Sequence, residues 1–362
     1  MAGYADVLFR VENGIGWITL NRPGALNALD HAMVGHLDAR LADWAGRDAV
    51  GAVVITGAGD RGLCAGGDIR SIYHDVRSAR RASVPFLRDE YQLNARIAGY
   101  QKPYLALMDG MVMGGGVGVS AHGSIRIVTD RTTMAMPEVS IGFIPDVGGS
   151  WLLSRTPGEL GTHLALTAAR FGAADAISCG FADHYLPAAR IPELLSALRP
   201  DRIREVTEAM AEPAPASPLQ AQRSWIDECY SAGTVTQILA RLRAHTDPAA
   251  QRAAGQIQAN SPTAVTVALR ALRQARQLTT IGEVLDQELR ISVAALDSRD
   301  LVEGIRAQVI DKDRAPRWSP ATVAEVTSEM VGRYFAPIEP GLARHQRAPG
   351  MTEELRREAS SR

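Results

Sequence analysis

The sequence predicts an α/β protein in which short strands alternate with helices up to about Pro187, after which helices follow alone. Three observations carry this reading. Unbroken apolar runs at 49–59, 102–110 and 125–129 have the length and composition of buried strands. Glycine-rich turns follow two of these runs and lead into helical spacing. From Ile191 onward, apolar residues recur at helical intervals with no strand-like alternation.

Taken in order, residues 7–23 read as two strands around Glu12-Asn13-Gly14, the Asn-Gly pair being a hairpin signal. Asp30 is placed to cap a helix in which Met33, Leu37, Leu41 and Trp44 share one face and Gly46 lies near the end. The strand at 49–59 leads into the loop Arg61 to Arg70, which contains Gly62, Gly66 and Gly67 and ends at a helix for which Asp68 is a cap. The strand at 102–110 leads to Gly114-Gly115-Gly116, opening a helix with Val117, Val119 and Ala121 packed on that strand. A proline-rich break at 212–218 reads as an exposed loop. Ser261-Pro262 starts a helix with Val265, Leu269 and Leu272 on one face, and Ile281, Leu285, Leu289, Val293 and Leu296 form a second stripe, read as core or subunit contacts. The organisation expected is a core at 1–190 carrying the active site, a helical region at 191–343, and a polar, poorly ordered tail at 344–362.

Composition narrows the function classes. A chain of 362 residues with 46% hydrophobic content can bury a sizeable core. Its formal charge of -1 supplies no electrostatic reason to expect nucleic acid or an anionic membrane as partner. It has no long apolar span, and the mixed first residues lack a signal-peptide pattern. The three cysteines, Cys64, Cys179 and Cys229, are widely spaced and odd in number, which argues against a disulfide framework or a zinc site and for a cytoplasmic protein.

Residues 110–149 concentrate the chemistry. A glycine triplet at a helix start lets a ligand approach backbone N–H groups that lack intrahelical partners, a setting suited to an oxyanion. The loop around Gly66-Gly67 is a second such element, and two donors aimed at one point are worth about 3 kcal/mol each to a transition state, so Gly67 and Gly115 are the candidate pair. Glu138 and Asp146 each follow a proline and are flanked by Met136, Val139, Ile141, Phe143 and Ile144. Apolar surroundings raise a carboxyl pKa and a rigid turn fixes its position, both of which suit acid-base work. Each feature also has a plain structural reading as close packing or a helix cap. A sharper rival is Gly116-Val117-Gly118-Val119-Ser120-Ala121, which fits a dinucleotide-binding turn with Asp130 ending the next strand.

Asn21-Arg22-Pro23 with Asn27-Ala28-Leu29, then Cys64-Ala65-Gly66-Gly67-Asp68-Ile69, Gly114-Gly115-Gly116, Pro137-Glu138 and Pro145-Asp146-Val147-Gly148-Gly149, together resemble the crotonase (enoyl-CoA hydratase/isomerase) superfamily. The segment from Phe86 to Tyr91 and the C-terminal runs Asn260-Ser261-Pro262-Thr263, Val309 to Asp313 and Pro316-Arg317-Trp318 are similar to its thioester-hydrolase branch, so the likeness extends to about Phe335. The resemblance implies a spiral of repeated strand-strand-helix turns followed by helices. It also implies hydrolysis of a small branched 3-hydroxyacyl-CoA, with 3-hydroxyisobutyryl-CoA first and valine breakdown as the pathway; hydration or isomerisation of an enoyl-CoA and non-catalytic CoA binding are the alternatives. Hydratases of the family carry a second glutamate two residues after the glycine triplet, where this chain has Gly118, and usually have glycine where it has Asp146. The site implied has Glu138 as base or nucleophile, Asp146 orienting the substrate hydroxyl or the water, and the Gly67 and Gly115 N–H groups as oxyanion hole. Glu90, Gly66, Asp68, Arg70 and Gly114 would contact substrate, Arg70 through a CoA phosphate. No metal or redox cofactor is implied, CoA being part of the substrate, and a homo-oligomer is a possible assembly.

Overall fold

The computed structural model describes residues 6–78 and 82–338; the expected tail at 344–362 lies outside the described residues. Strands β1 (Val7–Glu12) and β2 (Ile15–Leu20) form the hairpin, pairing from Val7 with Leu20 to Glu12 with Ile15. Asn13 and Gly14 have φ of 51° and 76°, as its two-residue turn requires. In α1 (His31–Ala45) the Asp30 side chain accepts from the Met33 N–H, Met33, Leu37, Leu41 and Trp44 are buried, and Gly46 is the C-cap.

Three successive turns of chain then each lay a longer strand in one sheet, a three-residue strand in a second, and a helical segment. The first is β3 (Ala52–Gly57), β4 (Gly62–Cys64), α2 (Ile69–Ser78) and α3 (Ser83–Ala98). The second is β5 (Tyr104–Met108), β6 (Met111–Met113) and α4 (Gly115–Gly118). The third is β7 (Ile125–Val128), β8 (Thr133–Ala135) and the 3-10 turn Glu138–Ile141. The chain continues through α5 (Gly149–Ser154), α6 (Leu160–Thr167), β9 (Phe171–Gly172), α7 (Ala173–Ser178) and β10 (His184–Tyr185). The larger sheet has the order β1-β2-β3-β5-β7-β10, parallel except for the hairpin, and the smaller is β4-β6-β8-β9 with β9 antiparallel. This is the spiral expected.

The corners between the sheets stack so closely that two positions admit only glycine. A Cβ on Gly62, whose φ is +150°, would lie 2.1 Å from the Met111 nitrogen, and one on Gly110 would lie 2.7 Å from the Gly62 Cα. Both faces of the larger sheet are covered. Ile15, Trp17, Val54, Leu105, Leu107, Ile125 and Ile127 pack under Leu194 of α8 (Ile191–Ala197) and Ile203 and Met210 of α9 (Ile203–Met210). Double burial is why its strands read as continuous apolar runs.

Beyond α9, an exposed irregular stretch at 212–216 matches the proline-rich break. The helices that follow are α10 (Pro218–Ala221), α11 (Arg223–Tyr230), α12 (Val235–Ala244), α13 (Pro248–Ala259), α14 (Pro262–Ala275), α15 (Ile281–Leu296), α16 (Arg299–Ile305) and α17 (Ser328–Tyr334). Ser261 caps α14 by accepting from the Ala264 N–H. The stripes on α14 and α15 join the same core as the strands, so they are core positions within this chain.

Two sequence expectations need correction. The glycine triplet opens only a single helical turn, because Gly116 and Gly118 pack flush against β4 and α3 in place of the side chains that would extend an apolar face. β4 lies within the stretch read as the loop 61–70, β6 and β8 fall in stretches given no element by the sequence reading, and all three are too short to leave a periodicity. The dinucleotide reading also loses its basis. A Cβ on Gly116 would lie 2.4 Å from the Cys64 carbonyl oxygen, so that glycine serves packing, and Asp130 accepts from the Ala188 N–H at 2.6 Å.

Because the corner glycines have no room to yield, Gly62→Ala is expected to lower unfolding free energy in urea by roughly 3 kcal/mol. A variant with the parental midpoint would contradict the stacking described.

Candidate active site

The site forms where the first and second turns of the spiral touch. The loop after β4 is held against residues 26–29: Leu29 N–H donates to the Gly66 carbonyl and Asp68 N–H to that of Leu29, each at 2.8 Å. Asn27, buried, braces both ends of this region by accepting from the Arg22 N–H and donating to the Ala58 and Gly62 carbonyls. Asn21-Arg22-Pro23 and Asn27 therefore shape the loop from outside the cavity. Opposite it, Gly114 and Gly115 approach so closely that a Cβ on Gly115 would lie 3.2 Å from the Gly67 nitrogen. Among the described residues nothing accepts from the N–H of Gly67 or of Gly115. Two unengaged donors thus flank one point, the arrangement of an oxyanion hole.

Three carboxyl groups face these donors. Glu90 comes from α3, Glu138 opens the 3-10 turn, and Asp146 sits in the turn before α5. A Cβ on Gly115 would lie 2.7 Å from Glu90 Oε1, and one on Gly114 2.9 Å from Glu138 Oε1, so both carboxyl groups lie directly over the glycine backbone. With Gly66, Gly67, Gly114 and Gly115 they line a cavity of about 130 Å³ whose apolar wall includes Ile72, Phe86, Phe143, Leu301 and Ile305. The last two belong to α16, so the helical C-terminal region closes the site.

Burial governs the protonation of these groups. Glu90, Glu138 and Asp146 are 3%, 7% and 6% exposed. Among the described residues Glu90 Oε1 and Glu138 Oε2 have no hydrogen-bond partner. Desolvation, and then the charge of Asp146, push Glu90 and Glu138 well above the ordinary carboxylate range. Desolvation raises Asp146 to about 7, with the hydrogen bond from the Tyr91 hydroxyl opposing it. Asp146 is therefore the member that ionises most readily, while its neighbours favour the protonated form.

Two of the expected substrate contacts do not line this cavity. Asp68 points away from the cavity: its carboxylate pairs with Arg22 at 3.4 Å and accepts from the Ser71 N–H in the first turn of α2, which is the plain cap reading. The Arg70 guanidinium donates to the Val309 carbonyl at 2.9 Å and does not line the cavity, because its position on α2 turns it toward the C-terminal segment. Conversely, sequence reasoning missed Tyr91, Glu288, Ser292, Leu301 and Ile305. A signal existed for one pair: Glu288 and Ser292 are polar residues four apart, adjoining the apolar stripe of α15, and both are buried. Among the described residues no cluster of three or more His, Cys, Asp or Glu is arranged to hold a metal.

Two free N–H groups beside a cavity overlooked by carboxyls suit acyl transfer or enolate chemistry on the spiral fold. The chain belongs to the enoyl-CoA hydratase/isomerase family, whose model matches residues 15–335. It is 38% identical to the mitochondrial 3-hydroxyisobutyryl-CoA hydrolase of Danio rerio, over 92% of this chain and 90% of that protein. The proteins of the same name from Rattus norvegicus and Homo sapiens are 39% and 37% identical, over 92% of this chain and 89% of each. Among solved structures, a carnitinyl-CoA dehydratase from Mycobacterium thermoresistibile is 56% identical with a TM-score of 0.90, covering 92% of this chain and 97% of that one. An enoyl-CoA hydratase from Rhodobacter sphaeroides 2.4.1 is 42% identical with a TM-score of 0.86, covering 92% and 98%.

The raised carboxyl pKa values make a stability prediction. Between the unfolded Asp value of about 4 and the folded value of about 7, the native state holds a proton that the unfolded chain has released. This stabilisation is complete below the lower value and lost as pH rises through the higher one. Asp146→Asn cannot lose it. The variant's melting temperature is expected to gain on the parent from pH 5 to pH 8; a constant difference would contradict the assignment.

Proposed function

We propose that the protein hydrolyses an acyl-CoA thioester, with 3-hydroxyisobutyryl-CoA and water giving 3-hydroxyisobutyrate and free CoA. The observation that carries this is what surrounds Gly118, where a hydratase of the family has its second glutamate. A Cβ there would lie 2.7 Å from Asn94 Nδ2 and 2.8 Å from Val147 Cβ, so the space is filled. Asp146, in the same cavity as Glu138, supplies the second carboxyl from a different direction. Relatives named as hydrolases of this substrate support the reading.

The chemistry follows from the parts. The N–H groups of Gly67 and Gly115 hold the thioester oxygen and stabilise the charge that develops when the carbonyl is attacked. Glu138, ionised for the step, removes a proton from the attacking water, or attacks the carbonyl itself to give a mixed anhydride that water then hydrolyses to the acid and free Glu138; in both routes the carbon–sulfur bond breaks and CoA leaves as the thiol after taking up a proton. Asp146 orients the substrate hydroxyl or the water. Phe86, Phe143 and Leu301 suit the methyl-bearing carbons of a short branched acyl group. CoA enters as part of the substrate. We place the protein in a reducing compartment, the cytoplasm, on its three buried free cysteines; the vertebrate relatives are named as mitochondrial. No described helix is long and apolar enough to cross a membrane.

The names of the two similar solved structures favour a second reading, hydration or dehydration of an enoyl-CoA. Incubation with 3-hydroxyisobutyryl-CoA and with crotonyl-CoA separates the two. Thiol release from the first is expected, reduced 100-fold to 10,000-fold by Glu138→Gln. Loss of enoyl absorbance from crotonyl-CoA without thiol release from either substrate would establish the hydratase reading instead.

A further inference from the structure

The three carboxyls of the cavity are not equally constrained. Among the described residues Glu90 Oε1 and Glu138 Oε2 are without partners, whereas Asp146 is held at its side chain by Tyr91 and at its carbonyl by the Gly149 N–H. Its Oδ2 accepts from the Tyr91 hydroxyl at 2.7 Å, and the Tyr91 oxygen lies 2.7 Å from the Ser292 hydroxyl of α15. A phenol has one proton and an ionised carboxylate can only accept. Tyr91 therefore donates to Asp146, and Ser292 donates to Tyr91. One turn earlier on α15, the carboxylate of Glu288 accepts from the N–H groups of Gly148 and Ser150 at 2.7 and 2.9 Å. That clasp fixes the turn on which Asp146 stands. The Asp146 carboxylate, which also meets its own backbone N–H, lines the cavity within reach of substrate.

We propose that Tyr91, aligned by Ser292, is a positioning residue for thioester hydrolysis, holding Asp146 as a carboxylate with one oxygen fixed, within reach of substrate or water. The proposal rests on the hydrolase reading. Its physical basis is the company Asp146 keeps. Glu90 on α3, Glu138 in the 3-10 turn and Glu288 on α15 are all acids, and none of them supplies a positive charge to favour the Asp146 anion. His122, which meets the Val147 carbonyl at 2.8 Å, is lowered by burial to about 4 and brings no positive charge near neutrality. The Asp300 carboxylate of α16 is turned toward Ser261 and Ser319. The Tyr91 hydroxyl is thus the side-chain donor that favours the Asp146 anion. A buried tyrosine ordinarily finds some acceptor; here the acceptor is a group of the reaction cavity itself, and a second helix supplies a residue to orient the donor.

Tyr91→Phe keeps the ring and removes the donor, and Ser292→Ala removes the residue that aligns it. The protein is labelled with ¹³Cγ-aspartate, and the Asp146 resonance is identified by its absence in Asp146→Asn. In Tyr91→Phe the midpoint of that resonance is expected to rise by about one pH unit. The acid limb of kcat/KM for thiol release should move the same way, with kcat down about tenfold and KM nearly unchanged. Ser292→Ala should give a smaller shift in the same direction, and decides the matter if Tyr91→Phe does not fold. An Asp146 resonance that titrates identically in parent and variant would overturn the proposal. The two failures are distinguishable: no thiol release by the parent overturns the hydrolase reading, whereas an active variant with the parental pH profile overturns only the role of Tyr91.

Discussion

Removing a charged carboxylate from water costs several kcal/mol unless it is paired or neutralised, and here Glu90, Glu138 and Asp146 converge on one cavity with at most 7% exposure. Among the described residues no guanidinium pairs with Glu138 or Asp146, so protonation is the means of relief. Relief is unequal because only Asp146 receives a phenolic hydrogen bond, and it settles at about 7 while its neighbours are driven higher. Carboxyls whose surroundings push their affinities for protons apart can hold one proton and exchange it near neutrality, the condition for acid-base work on a thioester.

The fold supplies the other half of the chemistry by close approach of backbone. Stacked corners at Gly62 and Gly110 bring successive turns of the spiral into contact, and the same closeness leaves the N–H groups of Gly67 and Gly115 facing one point. Asn27 holds the entry to the first loop from behind. The C-terminal helices are part of this construction: Leu301 and Ile305 wall the cavity, Glu288 clasps the turn after Asp146, and Ser292 reaches it through Tyr91.

Much of this was legible where the sequence pattern is local. The hairpin at Asn13-Gly14, the cap at Asp30 and the helix start at Ser261-Pro262 each follow from side-chain or backbone chemistry within a few residues. Gly66, Gly67, Gly114, Gly115, Glu90, Glu138 and Asp146 do meet in one cavity. What local pattern could not convey was direction and distance. Asp68 and Arg70 adjoin the oxyanion loop in sequence, yet a helix start turns one toward Arg22 and the other toward Val309. Ser292 lies 201 residues from Tyr91, and nothing near either residue announces their contact. The one-turn helix after the glycine triplet ends where it does because Gly118 meets Asn94 and Val147, a three-way packing that no periodicity encodes.

The proposed hydrolysis depends on a buried carboxyl set whose first ionisation is displaced toward neutrality. The most direct test is the pH dependence of kcat/KM for thiol release from 3-hydroxyisobutyryl-CoA, which reports the essential groups of the free enzyme. An acid limb centred at neutrality or above is the expected result, since burial raises Asp146 to about 7 and holds Glu138, which must ionise for the step, well above the ordinary carboxylate range. A limb centred near pH 4, the ordinary carboxylate value, with activity constant from there to neutrality, would contradict the account.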